Sequence, residues 1–294
     1  MLRNEQFSVF DILHLGVVQM QYAICNEVFG DWSWQQGMKL ASDVGYSGLE
    51  VAPFTLGTRA DQISAETRAQ YRDMAASHGL KIIGLHWLLA KTEGFHLTTN
   101  DLAVRQLTAS YLGDLAHLCR DLGGDLMVLG SPMQRNFGPE MSHQQAMDNA
   151  VDVLKRCTPV LEETQVAIAV EPLGPQEGNF LNHASQARSL IQAVDHPFIM
   201  LHLDVKAMST EGKPINQVIR ENADLMIHFH ANDPNRLGPG MGDVDFVPIF
   251  RALNEVDYDG WVSVEVFDYS PGPEKILRES MQNMLDAQKL ARSR

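Results

Sequence analysis

Eight short apolar runs, each ending near a turn and each followed by a segment of helical character, constrain this 294-residue chain more than any other feature. The runs are Leu15–Met20, Gly48–Ala52, Lys81–His86, Leu126–Gly130, Val166–Glu171, Ile199–Asp204, Leu225–His230 and Trp261–Phe267. Helices are expected near Trp32–Val44, Ala65–His78, Leu102–Leu122, Ser142–Glu163, Asn182–Val194, Pro214–Asn222, Val247–Val256 and Pro273–Ala291, the sixth being the weakest pattern. Continuous apolar strands, rather than alternating ones, belong in a sheet covered on both faces. Gly45, Gly79 and Gly123 stand where helices end in a left-handed residue, and Ser142 and Asn182 where N-caps belong. Eight strand–helix units without a linker or low-complexity break predict an α/β chain folded as a single (β/α)8 barrel over residues 1–294. An open doubly wound sheet would want a glycine fingerprint after an early strand, and the sequence has none.

Barrels of this kind present chemistry at the carboxyl ends of their strands. Here four successive runs end in metal-competent side chains: VAIAVE at Glu171, IMLHLD at Asp204, LMIHFH at His230 and WVSVEV at Glu265. Residues two apart face the same way along a strand, so His228 pairs with His230 and His202 with Asp204. Neighbouring strands would let Glu171, Asp204, His230 and Glu265 converge on one ion. Three carboxylates and one imidazole make a hard, oxygen-rich site, suited to Mn2+, with Mg2+ or Co2+ as the other fits. Buried carboxylates without a cation would be costly.

With these strand ends in hand, the chain resembles the xylose-isomerase-like sugar isomerase/epimerase barrels, and among them the ketose 3-epimerases of the tagatose/psicose type. The resemblance is carried by EPLGPQEGNFLN (171–182), LHLD (201–204), HFHANDPNRLGPGMGDVDF (228–246) and YDGWVSVEVF (258–267). It implies that Glu171, Asp204, His230 and Glu265 hold the metal and that Glu171 and Glu265 move the proton. It also implies that Glu177 and Arg236 contact substrate oxygens. Those enzymes carry a substrate-binding histidine three residues after the aspartate; here the segment is LDVKAM, so that position is Ala207, with Lys206 beside it.

Moving a proton on a carbon next to a carbonyl needs a base, an acid and stabilisation of the enediolate between them. If Glu171 and Glu265 flank the substrate, that carbon inverts; if only one reaches it, isomerisation or elimination follows. Glu50 and His86 end strands 2 and 3 at the expected mouth, where they bind a substrate hydroxyl or serve the fold. Arg135, in SPMQRN, is either solvated or an oxygen clamp. Lys206 either binds substrate or pairs with a neighbouring acid. His202 and His228 read as packed, hydrogen-bonded barrel histidines, and Trp32, Trp34, Phe54 and Trp87 as packing or as an apolar wall for a sugar face.

Composition trims the alternatives. A formal charge of −14 with no Lys/Arg run opposes nucleic-acid binding. It also sets aside an apurinic-type endonuclease, which would need about three metals and a basic face. No stretch nears the roughly 18 consecutive apolar residues that span a bilayer, and MLRNEQFSVFDILHLG lacks a signal peptide's apolar core, so the cytoplasm is expected. Cys25, Cys119 and Cys157 are too dispersed for a disulfide framework. The sequence thus predicts a metal-dependent sugar epimerase or isomerase acting on a ketose or keto-sugar. Its runners-up are a lyase or dehydratase acting on a 3-keto glycoside or keto-inositol, and a non-catalytic metal-binding barrel. The partner is a small sugar, and a homo-oligomer (dimer or tetramer) is expected of such barrels.

Overall fold

A computed structural model describes residues 20–293. Eight parallel strands close on themselves in chain order, β1 to β8, with β8 pairing back onto β1. They are β1 Gln21–Cys25, β2 Gly48–Val51, β3 Lys81–Leu85, β4 Leu126–Leu129, β5 Ala167–Val170, β6 Ile199–Asp204, β7 Met226–Ala231 and β8 Trp261–Val264. The helices are α1 Trp34–Val44, α2 Ala65–Ser77, α3 Leu102–Leu122, α4 His143–Thr164, α5 Ala184–Val194, the single turn α6 Val205–Met208, α7 Ile215–Asn222, α8 Phe246–Glu255 and α9 Pro273–Arg292. This is the (β/α)8 barrel expected from the apolar runs.

Two expectations are corrected. The first strand was placed at Leu15–Met20; residues 15–19 lie outside the described residues, Met20 is not in a strand, and β1 is the next segment, QYAIC. Its mixed polarity hid it, because Gln21 and Tyr22 lie at the solvent-facing base of the barrel while Ala23, Ile24 and Cys25 are buried. Asn182 does not cap α5; His183 holds that position without a side-chain bond, and Asn182 Nδ2 instead donates to the carbonyls of Leu173 and Gly178. Ser142 caps α4 as expected, in a reciprocal box with Gln145. Gly45 and Gly123 end α1 and α3 in the left-handed region.

The main apolar core lies between the strands and the surrounding helices. Inside the barrel, Leu126, Val128 and Ala169 form a small apolar floor with Ile227 packed against it. Above this floor the interior turns polar, with Glu50, His202, His228 and Ser263 all fully buried. Register shifts help to aim these groups. Leu201 pairs with Met226 but His202 pairs with His228, so Ile227 is an extra residue on β7; a similar shift separates Leu49 from Glu50 on β2. Such bulges re-aim side chains near functional sites.

Candidate active site

Glu171 and Glu265 follow the last residues of β5 and β8, Asp204 ends β6, and His230 is next to last in β7. Barrel closure buries all four, none more than 5% exposed. One ligand atom each from Glu171, His202, Asp204 and His230 lies within 4.8 Å of the other three. Glu265 joins through His230, its Oε2 standing 3.0 Å from His230 Nδ1, while its Oε1 accepts the Trp87 indole N–H at 2.7 Å.

The supports of these side chains are specific. His230 Nε2 faces both oxygens of Glu50 at 3.1 and 3.2 Å, which leaves Nδ1 turned toward Glu265. A carboxylate behind the far ring nitrogen is the usual way to orient a ligating histidine. Asp204 Oδ1 accepts the Ala207 N–H at 2.8 Å, and Oδ2 accepts Asn232 Nδ2–H at 2.5 Å. Asn232 is itself fixed by the Lys206 N–H at 2.9 Å. Glu171 needs the empty space above Gly130, where an added Cβ would sit 1.6 Å from Glu171 Oε2. Behind Glu171, Arg135 Nη1 donates to its backbone carbonyl at 2.7 Å.

Burial, then the charges of Glu265 and Asp204, push Glu171 well above the usual carboxylate range. Burial also raises Asp204, with Glu265 adding to it against the pull of Lys206. Burial would raise Glu265 as well, but His230 outweighs it and holds that carboxyl low. Burial and the neighbouring histidines hold His202 well below its ordinary value, so it is a neutral imidazole, and neither ring nitrogen has a hydrogen-bond partner. Three crowded carboxylates beside the neutral His202 imidazole form a donor set that a divalent cation fits, because the cation relieves the repulsion and uses an unpaired nitrogen.

The other expected residues divide between mouth and interior. Glu171 and Glu265 share a cleft of about 360 Å³ with Trp87, Glu177 and Phe267. Glu177 and Phe267 also line an adjoining cavity of about 480 Å³, together with Lys206 and Arg236. There Lys206 Nζ pairs with Glu177 Oε2 at 2.6 Å and lies 4.7 Å from the Phe267 ring centroid. Arg236, at φ 75°, donates from Nη2 to the Phe267 carbonyl at 3.0 Å. Glu50, His86 and Arg135 are not at the open mouth. Glu50 is fully buried between His228 and His230; His86 Nε2 meets Glu27 at 2.8 Å; Arg135 is 2% exposed rather than solvated. His228 is hydrogen-bonded as expected, through Nε2 to Glu50 at 2.9 Å, but His202 is not.

A model of the xylose isomerase-like TIM barrel family matches residues 38–287. The chain belongs to the xylose isomerase-like TIM barrel family. A probable ketose 3-epimerase from Synechocystis sp. is 27% identical over 228 residues, covering 76% of this chain and 75% of that protein. The D-psicose 3-epimerase of Enterocloster bolteae is 25% identical over 260 residues, 85% and 83% of the two chains. The 3-keto-D-glucoside 4-epimerase of E. coli shares the fold, with a TM-score of 0.79 at 19% identity over 91% of this chain and 100% of that one. These relatives place the chain among isomerase-class enzymes of this barrel family.

Three contributors escaped the sequence. His202 was set aside as packed, although its spacing from Asp204 already put it on the same strand face. Asn232, two residues after His230 in HAND, had a usable signal for the same reason. Trp87 was read as packing or as an apolar wall, because nothing in HWLL announces that its N–H reaches Glu265 across the barrel.

Proposed function

We propose that this family member is a divalent-metal-dependent epimerase that inverts a carbon next to the carbonyl of a ketose or keto-sugar. One observation carries the reading: the carboxylates of Glu171 and Glu265 enter a single cleft from β5 and β8, beside Asp204 and His230. Glu171, Asp204, His230 and Glu265 would hold the cation, with Mn2+ the best match to three carboxylates and an imidazole, and His202 stands close enough to add a second nitrogen. The cation, when bound, stabilises negative charge developing on the substrate's carbonyl oxygen.

The chain's own groups do the rest. One glutamate takes the proton from carbon on one face of the sugar and the other returns a proton from the opposite face. Trp87 steadies Glu265, and Gly130 with Arg135 steadies Glu171, so both carboxylates arrive pre-aimed. Glu177, Lys206 and Arg236 supply hydroxyl contacts from the adjoining cavity. Phe267 and Trp87 give an apolar edge that limits water. That relatives include ketose 3-epimerases supports this reading.

Lys206 and Glu177, paired beside Ala207, keep a second reading in play. The same proton removal, on a 3-keto glycoside, ends in elimination if the leaving group departs before reprotonation. Proton NMR of the Mn2+-loaded protein with ketoses and keto-glycosides in D2O tests both. Deuterium at the carbon beside the carbonyl, with a new epimer, supports epimerisation. An unsaturated product supports elimination, and no exchange with any keto-sugar ends the proposal.

A further inference from the structure

A third cavity of about 560 Å³ adjoins the catalytic cleft, the two sharing Trp87 and Lys91 as lining. Three of the chain's four tryptophans, Trp32, Trp34 and Trp87, line this outer cavity. Trp34 is occupied, packed on Tyr71 with ring centroids 4.4 Å apart. Trp32 and Tyr269 are not covered in this way; they are 38% and 39% exposed at its edge. Large aromatic faces left open beside a cleft are suited to a ligand with an apolar face and a polar rim.

The polar groups say which ligand. Glu27 and Asp31 line the cavity as hydrogen-bond acceptors, and its described lining contains no guanidinium. The cation present, Lys91, lies over the Phe54 ring at 4.1 Å. Acceptors outnumber basic donors, which opposes a phosphate or carboxylate substituent. They suit hydroxyls, which donate to carboxylates while the C–H face of the ring stacks on indole or phenol. Trp87 links the two spaces. Its backbone is left-handed, φ 52°, a conformation bulky side chains rarely adopt and which marks functional strain. That strain sets the indole between the cavities with its N–H on Glu265.

We propose that this outer cavity is a second sugar subsite, which holds the neutral glycosyl unit of a keto-glycoside while the keto ring occupies the Glu171–Glu265 cleft. The proposal rests on the keto-sugar reading of that cleft, so its test reads binding apart from turnover. Intrinsic tryptophan fluorescence of the Mn2+-loaded protein is titrated with glucose, maltose and cellobiose. At least one disaccharide should bind about tenfold more tightly than glucose, the worth of one good stacking contact. Trp32→Ala and Tyr269→Ala should each shrink that ratio, with circular dichroism and melting curves confirming that both variants fold. Equal affinity for glucose and both disaccharides, or an advantage that neither variant reduces, overturns the subsite. A disaccharide preference without turnover of any keto-sugar keeps the subsite and removes the epimerase reading. Turnover of free ketoses without that preference does the reverse.

Discussion

Two tiers of the barrel interior hold the same kinds of side chain in different states. In the lower tier, Glu50 lies between His228 and His230; burial pushes its carboxyl up, but the two imidazoles outweigh this and hold it well below the usual range. In the upper tier, Glu171 has carboxylates for neighbours and is driven the other way. The lower tier is built on opposite partners around one carboxylate and the upper tier on crowded like charges. A paired buried charge is held by its partners, whereas crowded carboxylates favour binding of a cation. The boundary between them is His230, which faces Glu50 with Nε2 and Glu265 with Nδ1.

Mutations should separate the tiers. Glu171→Gln or Glu265→Gln should lower deuterium exchange by about 10²–10⁴-fold, the usual worth of a proton-transferring group. The Glu171→Gln apoprotein should lose no stability by urea unfolding, because a crowded carboxylate has gone; a marked loss would show that the upper tier is structural. Glu50→Ala should do the opposite kind of damage, costing about 3–5 kcal/mol of unfolding free energy by leaving two buried imidazoles without their partner. If that variant unfolds at the wild-type urea midpoint, the distinction between tiers collapses.

Smaller changes sharpen the comparison. Gly130→Ala adds one methyl where the Glu171 carboxylate sits. A displacement of about 1 Å should reduce turnover by about 10²-fold, with the melting temperature the control for folding. Asn232→Ala removes the donor that fixes Asp204 Oδ2; Mn2+ affinity measured by calorimetry should fall by about 10–100-fold.

The smallest effect lies outside both tiers. Hydrogen bonds from Arg156 and Arg105 keep Asp152 below its ordinary value. A depressed carboxyl stabilises the fold above its unfolded pKa, about 3.9, and that contribution disappears as pH falls through the lower folded value. Asp152→Asn should therefore cost under about 1 kcal/mol at pH 6. The difference from wild type should shrink in thermal melts as the pH falls below the unfolded value of about 3.9. A difference that does not shrink on acidification would point to packing rather than charge.

Much of this was legible in the sequence. Seven of the eight strands lie where the apolar runs put them, to within a few residues, because strands buried on both faces need continuous apolar residues. Glu171, Asp204, His230 and Glu265 were legible as strand-end residues, since a closed parallel barrel fixes where strand ends go. The first strand was not, because QYAIC begins with polar residues at the barrel base.

What only the tertiary structure decided is which polar groups complete one another. Glu50 and Glu171 are both glutamates near strand ends, yet one sits between imidazoles and the other beside carboxylates. The Trp87–Glu265 bond joins residues 178 apart, and the His228–Glu50 bond spans the same separation. Sequence periodicity determines which face a side chain takes; closure of the barrel and the shifts of register determine what it meets there.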